Sequence, residues 1–322
     1  MTLGALWRGL RRGAYWLLPP LLLGLVAARV DLSQVAGLFA RARPAWWAAG
    51  LTSSLAIALV GALRWHGLMA AGWPQAPRLR TSLPDYWRSL AAGLLLPGSL
   101  GQDAYRALGM TRQGAALPVA MQRLLLEKLM ALAACLLVAG ATTAAHDTTG
   151  LLATLGPGLL LLAALLLALL WLVQVPPRWA RRLAVPLPRR WRLPAIPRLQ
   201  PHMKGPPQWP PWRATAGSLL LSIVLLVIAA VQAQCYFQAL GVQVDWRFNL
   251  LAAPILFITM ALPLSFGGLG VREAAHVAVY GALGVAGEAA LAVSVLGLAG
   301  LALNWAIGAL LWTRSRPWAS SG

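Results

Sequence analysis

Residues 262–273 read LPLSFGGLGVRE and interrupt a hydrophobic run that would otherwise be long enough to cross a membrane. Proline removes a backbone hydrogen bond, and clustered glycines favour non-helical backbone, so the stretch predicts a break in a helix. Lipid cannot satisfy the freed backbone groups, so the break must be buried in protein or line a polar cavity. Arg272 and Glu273 lie in the same stretch, and ionisable residues at membrane depth are candidates for function.

The composition indicates an integral membrane protein. The 322 residues are 59% hydrophobic and 11% charged, whereas soluble domains are about 45–50% apolar and about 25% charged. We therefore expect an all-α polytopic protein with a single transmembrane domain over residues 1–322. The net charge of +19 comes from basic residues that lie between apolar runs. That placement favours anionic lipid headgroups over nucleic acid as the partner.

Uncharged runs of about 20 residues predict full transmembrane helices. The run Ser89–Gln102 holds only 14 residues and contains Pro97 and Gly98, so it predicts a re-entrant segment. Six full transmembrane helices plus two re-entrant broken-helix hairpins account for the whole chain. The predicted full spans are Gly13–Ala28, Pro44–Leu63, Leu129–Ala145, Thr148–Pro177, Ala214–Val244 and Ala289–Thr313, and the hairpins involve Ser89–Gln102 and Phe248–Val271.

The distribution of Lys and Arg orients the spans. Nine basic residues and no acidic residue fall between Arg178 and Arg213, within a linker at residues 176–213 that is rich in proline and tryptophan. Basic residues collect in cytoplasmic loops, so we expect this linker and both termini to be cytoplasmic. The linker is either an interfacial segment on an anionic membrane surface or a disordered tether.

The two broken segments resemble each other. Residues 97–101 read PGSLG and residues 263–267 read PLSFG, and Arg106 and Arg272 each follow nine residues after the proline. The predicted hairpins enter from opposite sides, which is the arrangement of inverted repeats whose broken helices meet to form a substrate site. We therefore predict a first repeat over residues 44–145 and a second, inverted repeat over residues 214–313.

Charged residues near the breaks suggest a polar site. Asp103 and Arg106 are three residues apart, and Arg123 and Glu127 are four apart, so each pair shares a helix face. The pairs either lock the bundle or hold arginines that bind an anionic group such as a lipid phosphate. The candidate substrate-binding residues are Ser99, Asp103, Arg106, Arg123, Glu127, Ser265, Arg272 and Glu273.

Arg272 and Glu273 are consecutive, and consecutive side chains diverge by about 100° on a helix. We therefore expect them to pair with other segments and not with each other, because an unpaired charge in the membrane costs at least about 2.5–3.5 kcal/mol. The expected partners are Arg106 or Arg123 for Glu273, and Glu127 or Asp103 for Arg272.

Other chemistry has little support. The sequence contains no phosphate-binding loop, dinucleotide fingerprint, zinc-protease motif or paired-cysteine metal site, and its four histidines are scattered singly. We expect no cofactor, no metal site and no disulfide, with Cys135 and Cys235 as buried thiols. Arg64 is interpreted as an anchor at the membrane interface.

Three stretches resemble the flippase-like transmembrane family typified by the membrane half of lysylphosphatidylglycerol synthases. They are LPGSLGQDAYR at residues 96–106, RLLLEK at 123–128 and PLSFGGLGVREA at 263–274. The resemblance extends from about Pro44 to Thr313. The chain departs from the family pattern at Gln102, where a glycine is usual, and at Lys128, where an arginine is usual.

The resemblance implies a multi-pass protein of the bacterial cytoplasmic membrane that moves lipids between leaflets. In the full-length synthases a soluble domain transfers lysine from its tRNA; no such domain follows before Gly322, so we expect no aminoacyl transfer and no enzyme activity. The resemblance leaves open whether the substrate is a glycolipid, an aminoacyl lipid or a terpenoid lipid.

The leading hypothesis is a flippase or scramblase for a lipid with an anionic or phosphate-containing headgroup, using a polar cavity between the two hairpins. One alternative is a membrane enzyme that acts on a lipid headgroup. Another is a non-transporting scaffold that positions a lipid-biosynthetic enzyme through the basic linker. The sequence leaves the direction of transport, its energy source and the oligomeric state open.

Overall fold

The computed structural model describes residues 17–73, 75–96, 98–145, 151–174, 209–262, 265 and 267–314. Every regular element in these ranges is helical. Five helices are long and apolar enough to cross a membrane, or six if one bent pair counts as a single span. The protein is therefore an all-α polytopic membrane protein, as the composition predicts.

Eleven α-helices and one short 3-10 turn make up the described part of the chain. The helices are α1 (Leu17–Ala27), α2 (Leu32–Ala40), α3 (Pro44–Ala70), α4 (Leu79–Ala92), α5 (Leu100–Arg112), α6 (Leu117–Ala144), α7 (Leu151–Gln174), α8 (Trp212–Ala239), α9 (Trp246–Ala261), α10 (Val271–Ala282) and α11 (Gly287–Arg314), and the 3-10 turn is Gly93–Leu95.

Two sets of four helices follow the same order of lengths. Helices α3 to α6 have 27, 14, 13 and 28 residues, and α8 to α11 have 28, 16, 12 and 28. Helices of one set also pack on helices of the other: α3 packs on α8, α4 packs on α11, and α6 packs on α9. This pattern is the one that two repeats related by a two-fold axis would give, and the repeats and their opposite orientation in a membrane stay predictions.

Helices α3 and α8 run antiparallel along the middle of the bundle. The Arg43 backbone N–H, at the start of α3, donates to the Ala239 carbonyl, at the end of α8, over 2.7 Å. Glycine allows close approach here, since a side chain at Gly50 would overlap the ring of Tyr236. We call the end of the bundle where α3 ends and α8 begins the linker end, and the other end the opposite end.

The two helix breaks meet inside the bundle. The first lies between α4 and α5, and the second lies between α9 and α10. The backbone N–H of Gly98 donates to the carbonyl of Ser265 over 3.1 Å, so the tips of the two hairpins touch. Gly98 and Gly270 have φ values of 61° and 78°, which L side chains rarely adopt. Pro97 and Pro263, on which the sequence alignment rests, lie outside the described residues.

Some predicted boundaries differ from the observed helices. The span expected at Leu129–Ala145 begins at Leu117, because its charged residues find partners inside the bundle and do not end the helix. The span expected at Gly13–Ala28 is described only from Leu17, and α1 and α2 bend by 83° where Asp31 caps α2. Residues 176–208 of the predicted linker lie outside the described residues.

Candidate functional site

Glu127 lies at the centre of a buried ion-pair network. Its Oε1 accepts from Nη2 of Arg64 over 2.8 Å, and its Oε2 accepts from Nη1 of Arg106 over 2.7 Å. These residues come from α6, α3 and α5, and all three are buried. One carboxylate therefore holds two guanidinium groups that belong to different helices.

Asp103 extends this network toward the first helix break. It accepts from Nη2 of Arg106 and from Nζ of Lys128, each over 2.7 Å. Ser99, the N-cap residue of α5, donates to Asp103 over 3.0 Å and accepts from Lys128 over 2.8 Å. The predicted pairing of Asp103 with Arg106 on one helix face is confirmed. Arg106 also lies 4.7 Å from the ring of Trp65, so a planar guanidinium fits this position.

The interpretation of Arg64 as an interface anchor is wrong. Its side chain points into the bundle, where Nη1 donates to the hydroxyl of Ser222 over 2.9 Å and Nη2 pairs with Glu127. The signal that sequence reasoning missed is its position, because Arg64 lies inside an α3 that continues to Ala70. A charge within an apolar helix has to find a partner, and only the packed bundle shows which one.

A second cluster surrounds Arg272, at the start of α10. Arg272 pairs with the adjacent Glu273, and its Nε donates to the hydroxyl of Ser294 on α11 over 3.1 Å. The Glu273 Oε2 accepts from the backbone N–H of Gly270 over 2.7 Å, which caps the helix. The Arg272 carbonyl lies 2.8 Å from Nδ1 of His276 and accepts a hydrogen bond in the histidine tautomer that carries its proton on Nδ1.

The predicted pairing between repeats is therefore wrong for these residues. Glu273 pairs with neither Arg106 nor Arg123, and Arg272 pairs with neither Glu127 nor Asp103, among the interactions of the described residues. Capping turns the Glu273 carboxylate back toward the start of α10, where the long Arg272 side chain reaches it. The prediction used only the angle of about 100° between consecutive positions on a helix and did not consider how far two long side chains can bend toward each other.

A cavity of about 350 Å³ adjoins the first cluster, and we call it the Arg106 cavity. Its polar lining comes from α3, α4, α5 and α6, and α9 supplies much of the apolar lining. The polar residues that line it are Arg64, Tyr86, Ser99, Gln102, Arg106, Glu127 and Lys128. Ser99 and Gln102 line the cavity from the start of α5, and the N-terminus of a helix favours a nearby anion.

A second cavity, of about 300 Å³, adjoins the other cluster, and we call it the Arg272 cavity. Most of its lining is apolar. Arg64 lines it from α3, and Arg272 and His276 line it from α10. Asn249, which is fully buried in α9, also lines it and accepts from the hydroxyl of Tyr280 over 2.8 Å.

The two cavities are neighbours. Arg64, Tyr86, Phe257 and Met260 line both of them. Phe257 and Met260 belong to the second half of α9, which therefore forms part of the partition. Arg64 is the charged residue that faces both cavities within the described part of the chain.

The Arg106 cavity opens to the side of the bundle. Leu132 on α6 is 39% exposed and Leu262 at the end of α9 is 48% exposed, and both line the cavity. Leu132 lies near the middle of α6, so this rim faces the apolar zone of a membrane. Lys128, whose side chain is 47% exposed, lies on the same helix at the polar side of the rim.

The remaining predicted site residues lie elsewhere. Arg123 is buried, and its Nη2 donates to the Ala71 carbonyl over 2.9 Å at the linker end. Ser265 is buried at the contact between the hairpin tips. Neither of them lines the two cavities. Sequence reasoning named six of the residues that form the two clusters and missed Arg64, Gln102 and Lys128.

Comparisons with known proteins identify the family but no individual relative. A comparison with curated proteins gives no match. The family model described as the lysylphosphatidylglycerol synthase TM region matches residues 5–308. The match covers nearly the whole chain, including both helix breaks and both clusters. The chain therefore belongs to the lysylphosphatidylglycerol synthase transmembrane-region family, and it is a membrane protein related to lipid handling.

Proposed function

We propose that this protein transports a lipid with an anionic or phosphate-containing headgroup between the two leaflets of the bacterial cytoplasmic membrane. The observation that carries the proposal is the sideways opening of the Arg106 cavity, which joins a polar interior to an apolar rim. A lipid has the same two parts. Its headgroup would enter the cavity while its tails stay in the surrounding bilayer.

The interior of the Arg106 cavity suits a phosphate. Arg64 and Arg106 supply buried guanidinium groups, which bind phosphate oxygens in a fixed planar geometry, and Lys128 supplies a mobile ammonium. Glu127 and Asp103 hold the two arginines and the lysine in place. In this proposal the two carboxylates are positioning residues, and Arg64, Arg106 and Lys128 contact the headgroup.

The repeated architecture supports movement between leaflets. The two hairpin tips touch at Gly98 and Ser265, and one cavity lies on each side of the partition formed by α9. In an inverted repeat, alternate opening of two such cavities exposes a central site to each leaflet in turn. This proposal places residues 44–145 and 214–313 in opposite orientations and both termini in the cytoplasm.

Leaflet exchange of labelled lipids in proteoliposomes tests the proposal. We expect the wild-type protein to accelerate exchange of phosphatidylglycerol, and Arg106→Lys to reduce the rate at least about tenfold. Lysine keeps the charge, but it lacks the planar group that binds Glu127 and Asp103 through two separate nitrogens and lies over the ring of Trp65. Arg272→Lys tests the second cavity by the same logic and is expected to slow exchange similarly.

Arg213→Lys is the matched control, because Arg213 is exposed near the start of α8 and lines neither cavity. It should exchange lipids at the wild-type rate. Full activity of Arg106→Lys and Arg272→Lys at normal protein levels would contradict a role of these arginines in binding. Absence of exchange by the wild-type protein with every lipid would contradict transport and favour the scaffold hypothesis.

A further inference from the structure

The acidic residues near the two cavities are already engaged. Glu127 is the one acidic residue among the described residues that line either cavity, and both of its oxygens bind arginines. Asp103 binds Arg106 and Lys128. Glu273 binds Arg272 and the N–H of Gly270. An incoming cation would therefore find no carboxylate that is ready to pair with it.

The cationic groups, by contrast, retain donors. Nε of Arg64, Nε of Arg106 and Nη1 of Arg272 are buried and have no hydrogen-bond acceptor within the described part of the chain. Buried polar groups almost always have a partner, so these three N–H groups are exceptions within the bundle. Lys128 adds an ammonium that is about half exposed at the mouth of the Arg106 cavity.

The balance of charges around the first cluster favours an anion. The lining of the Arg106 cavity contains three cations, Arg64, Arg106 and Lys128, against the single carboxylate of Glu127. The described lining of the Arg272 cavity contains Arg64 and Arg272 and no carboxylate. Asp103 pairs with Arg106 and Lys128, and Glu273 pairs with Arg272. The Arg272 pair is therefore neutral, and the first cluster has one positive charge more than its two carboxylates balance, which is costly inside a membrane.

We infer that the transported lipid is anionic, with a phosphate whose charge no amine in the headgroup neutralises, and that the cavities reject aminoacylated, cationic lipids. This inference rests on the proposed function and narrows its substrate. A phosphate would balance the one remaining positive charge of the first cluster. A lysyl headgroup would bring an ammonium group among arginines with no carboxylate to receive it. The substrate class thus differs from the lipid in the name of the family.

A matched pair of lipids tests this selection. Phosphatidylglycerol and lysylphosphatidylglycerol share the same backbone and phosphate, and they differ by the cationic lysyl group. We expect proteoliposomes with the wild-type protein to exchange phosphatidylglycerol at least about tenfold faster. Equal rates, or faster exchange of the lysyl lipid, would overturn the inference and leave the transport proposal intact.

A thiol-labelling experiment tests the inference without transport. In a variant with Cys135→Ser and Cys235→Ser, Gln102→Cys places one thiol in the Arg106 cavity, and Gln243→Cys places one at an exposed position between α8 and α9. Anionic and cationic methanethiosulfonate reagents are then compared. We expect the ratio of anionic to cationic labelling rates to be about tenfold higher at Gln102→Cys, because a positive cavity concentrates anions. Equal ratios at the two positions would overturn the inference.

Protection of the Gln102→Cys thiol distinguishes a lipid from a free phosphate. Phosphatidylglycerol in vesicles is expected to slow labelling at concentrations at which glycerol 1-phosphate has no effect. Equal protection by glycerol 1-phosphate would assign the site to a soluble phosphate and contradict a lipid ligand. If no lipid is exchanged but the labelling ratio is as expected, transport is wrong and the anion selectivity stands.

Lys128→Gln tests the contribution of the ammonium at the cavity mouth. We expect the preference for phosphatidylglycerol over the lysyl lipid to fall about threefold, because one positive charge is removed where the headgroup enters. Arg213→Gln removes one positive charge from an exposed position outside both cavities and should leave the preference unchanged. An unchanged preference in Lys128→Gln would contradict a role of the lysine in selection.

Discussion

Replacing Glu127 by glutamine is expected to lower the free energy of unfolding by about 3–5 kcal/mol, the range measured when one partner of a buried ion pair is removed. The carboxylate is 3% exposed and binds Arg64 over 2.8 Å and Arg106 over 2.7 Å. Glutamine has nearly the same shape, so the loss is electrostatic. It leaves the buried guanidinium group of Arg64 without its carboxylate partner and leaves Arg106 paired with Asp103 alone.

Unfolding of the purified protein in detergent, followed by tryptophan fluorescence, measures this effect. Asp245→Asn is the control, because Asp245 is exposed, caps the start of α9 and can be replaced by another good capping residue. A double variant with Arg64→Met should be less destabilised than the sum of the single changes, since the unpaired cation is removed as well. Wild-type stability of Glu127→Gln would contradict the central place of this carboxylate.

Gly270→Ala is expected to have the second large effect, because two independent costs act at this position. The backbone φ of 78° disfavours any side chain with a Cβ, at a cost of about 1–2 kcal/mol. The added Cβ would also lie 2.7 Å from the carbonyl oxygen of Pro19 on α1, where it meets backbone atoms. Movement of the second hairpin tip would displace Arg272 and Glu273, so both stability and lipid exchange should fall.

Gly284→Ala separates these two costs. Gly284 has a φ of 80°, but no atom lies within 4 Å of the position that its Cβ would occupy. It should therefore lose only the conformational contribution of about 1–2 kcal/mol and keep normal exchange rates. The difference in unfolding temperature between the two variants measures the contact of Gly270 with α1. Equal losses in both variants would show that this contact is unimportant.

The helix breaks were predictable because their causes are local. Proline and clustered glycines interrupt helical hydrogen bonding through local effects, so the sequence of residues 262–273 by itself predicts a helix break. The run Ser89–Gln102 predicts the other break because it is too short to cross a membrane as a helix. The exact helix bounds were less predictable, since α6 continues through Arg123 and Glu127 to begin at Leu117. A charged residue ends a span only when the bundle provides no partner for it.

The candidate site also contains some contacts that the sequence predicts and others that it does not. The pairing of Asp103 with Arg106 follows from spacing on one helix, and it was predicted. The pairing of Glu127 with Arg64 joins residues 63 positions apart, and no pattern in the sequence indicates it. Arg272 was expected to face another segment, yet capping of α10 by Glu273 brings the adjacent carboxylate within reach.

The sequence by itself determined that this is an all-α polytopic membrane protein, that two of its helical segments are broken, and that arginines and carboxylates lie beside the breaks. These properties depend on composition and on neighbours within a few residues. Only the tertiary structure decided which charges pair, that Arg64 faces both cavities, and that the Arg106 cavity opens sideways between α6 and α9. Those features depend on how helices distant in sequence pack together, because a buried charge takes its partner from whichever helix the bundle brings next to it.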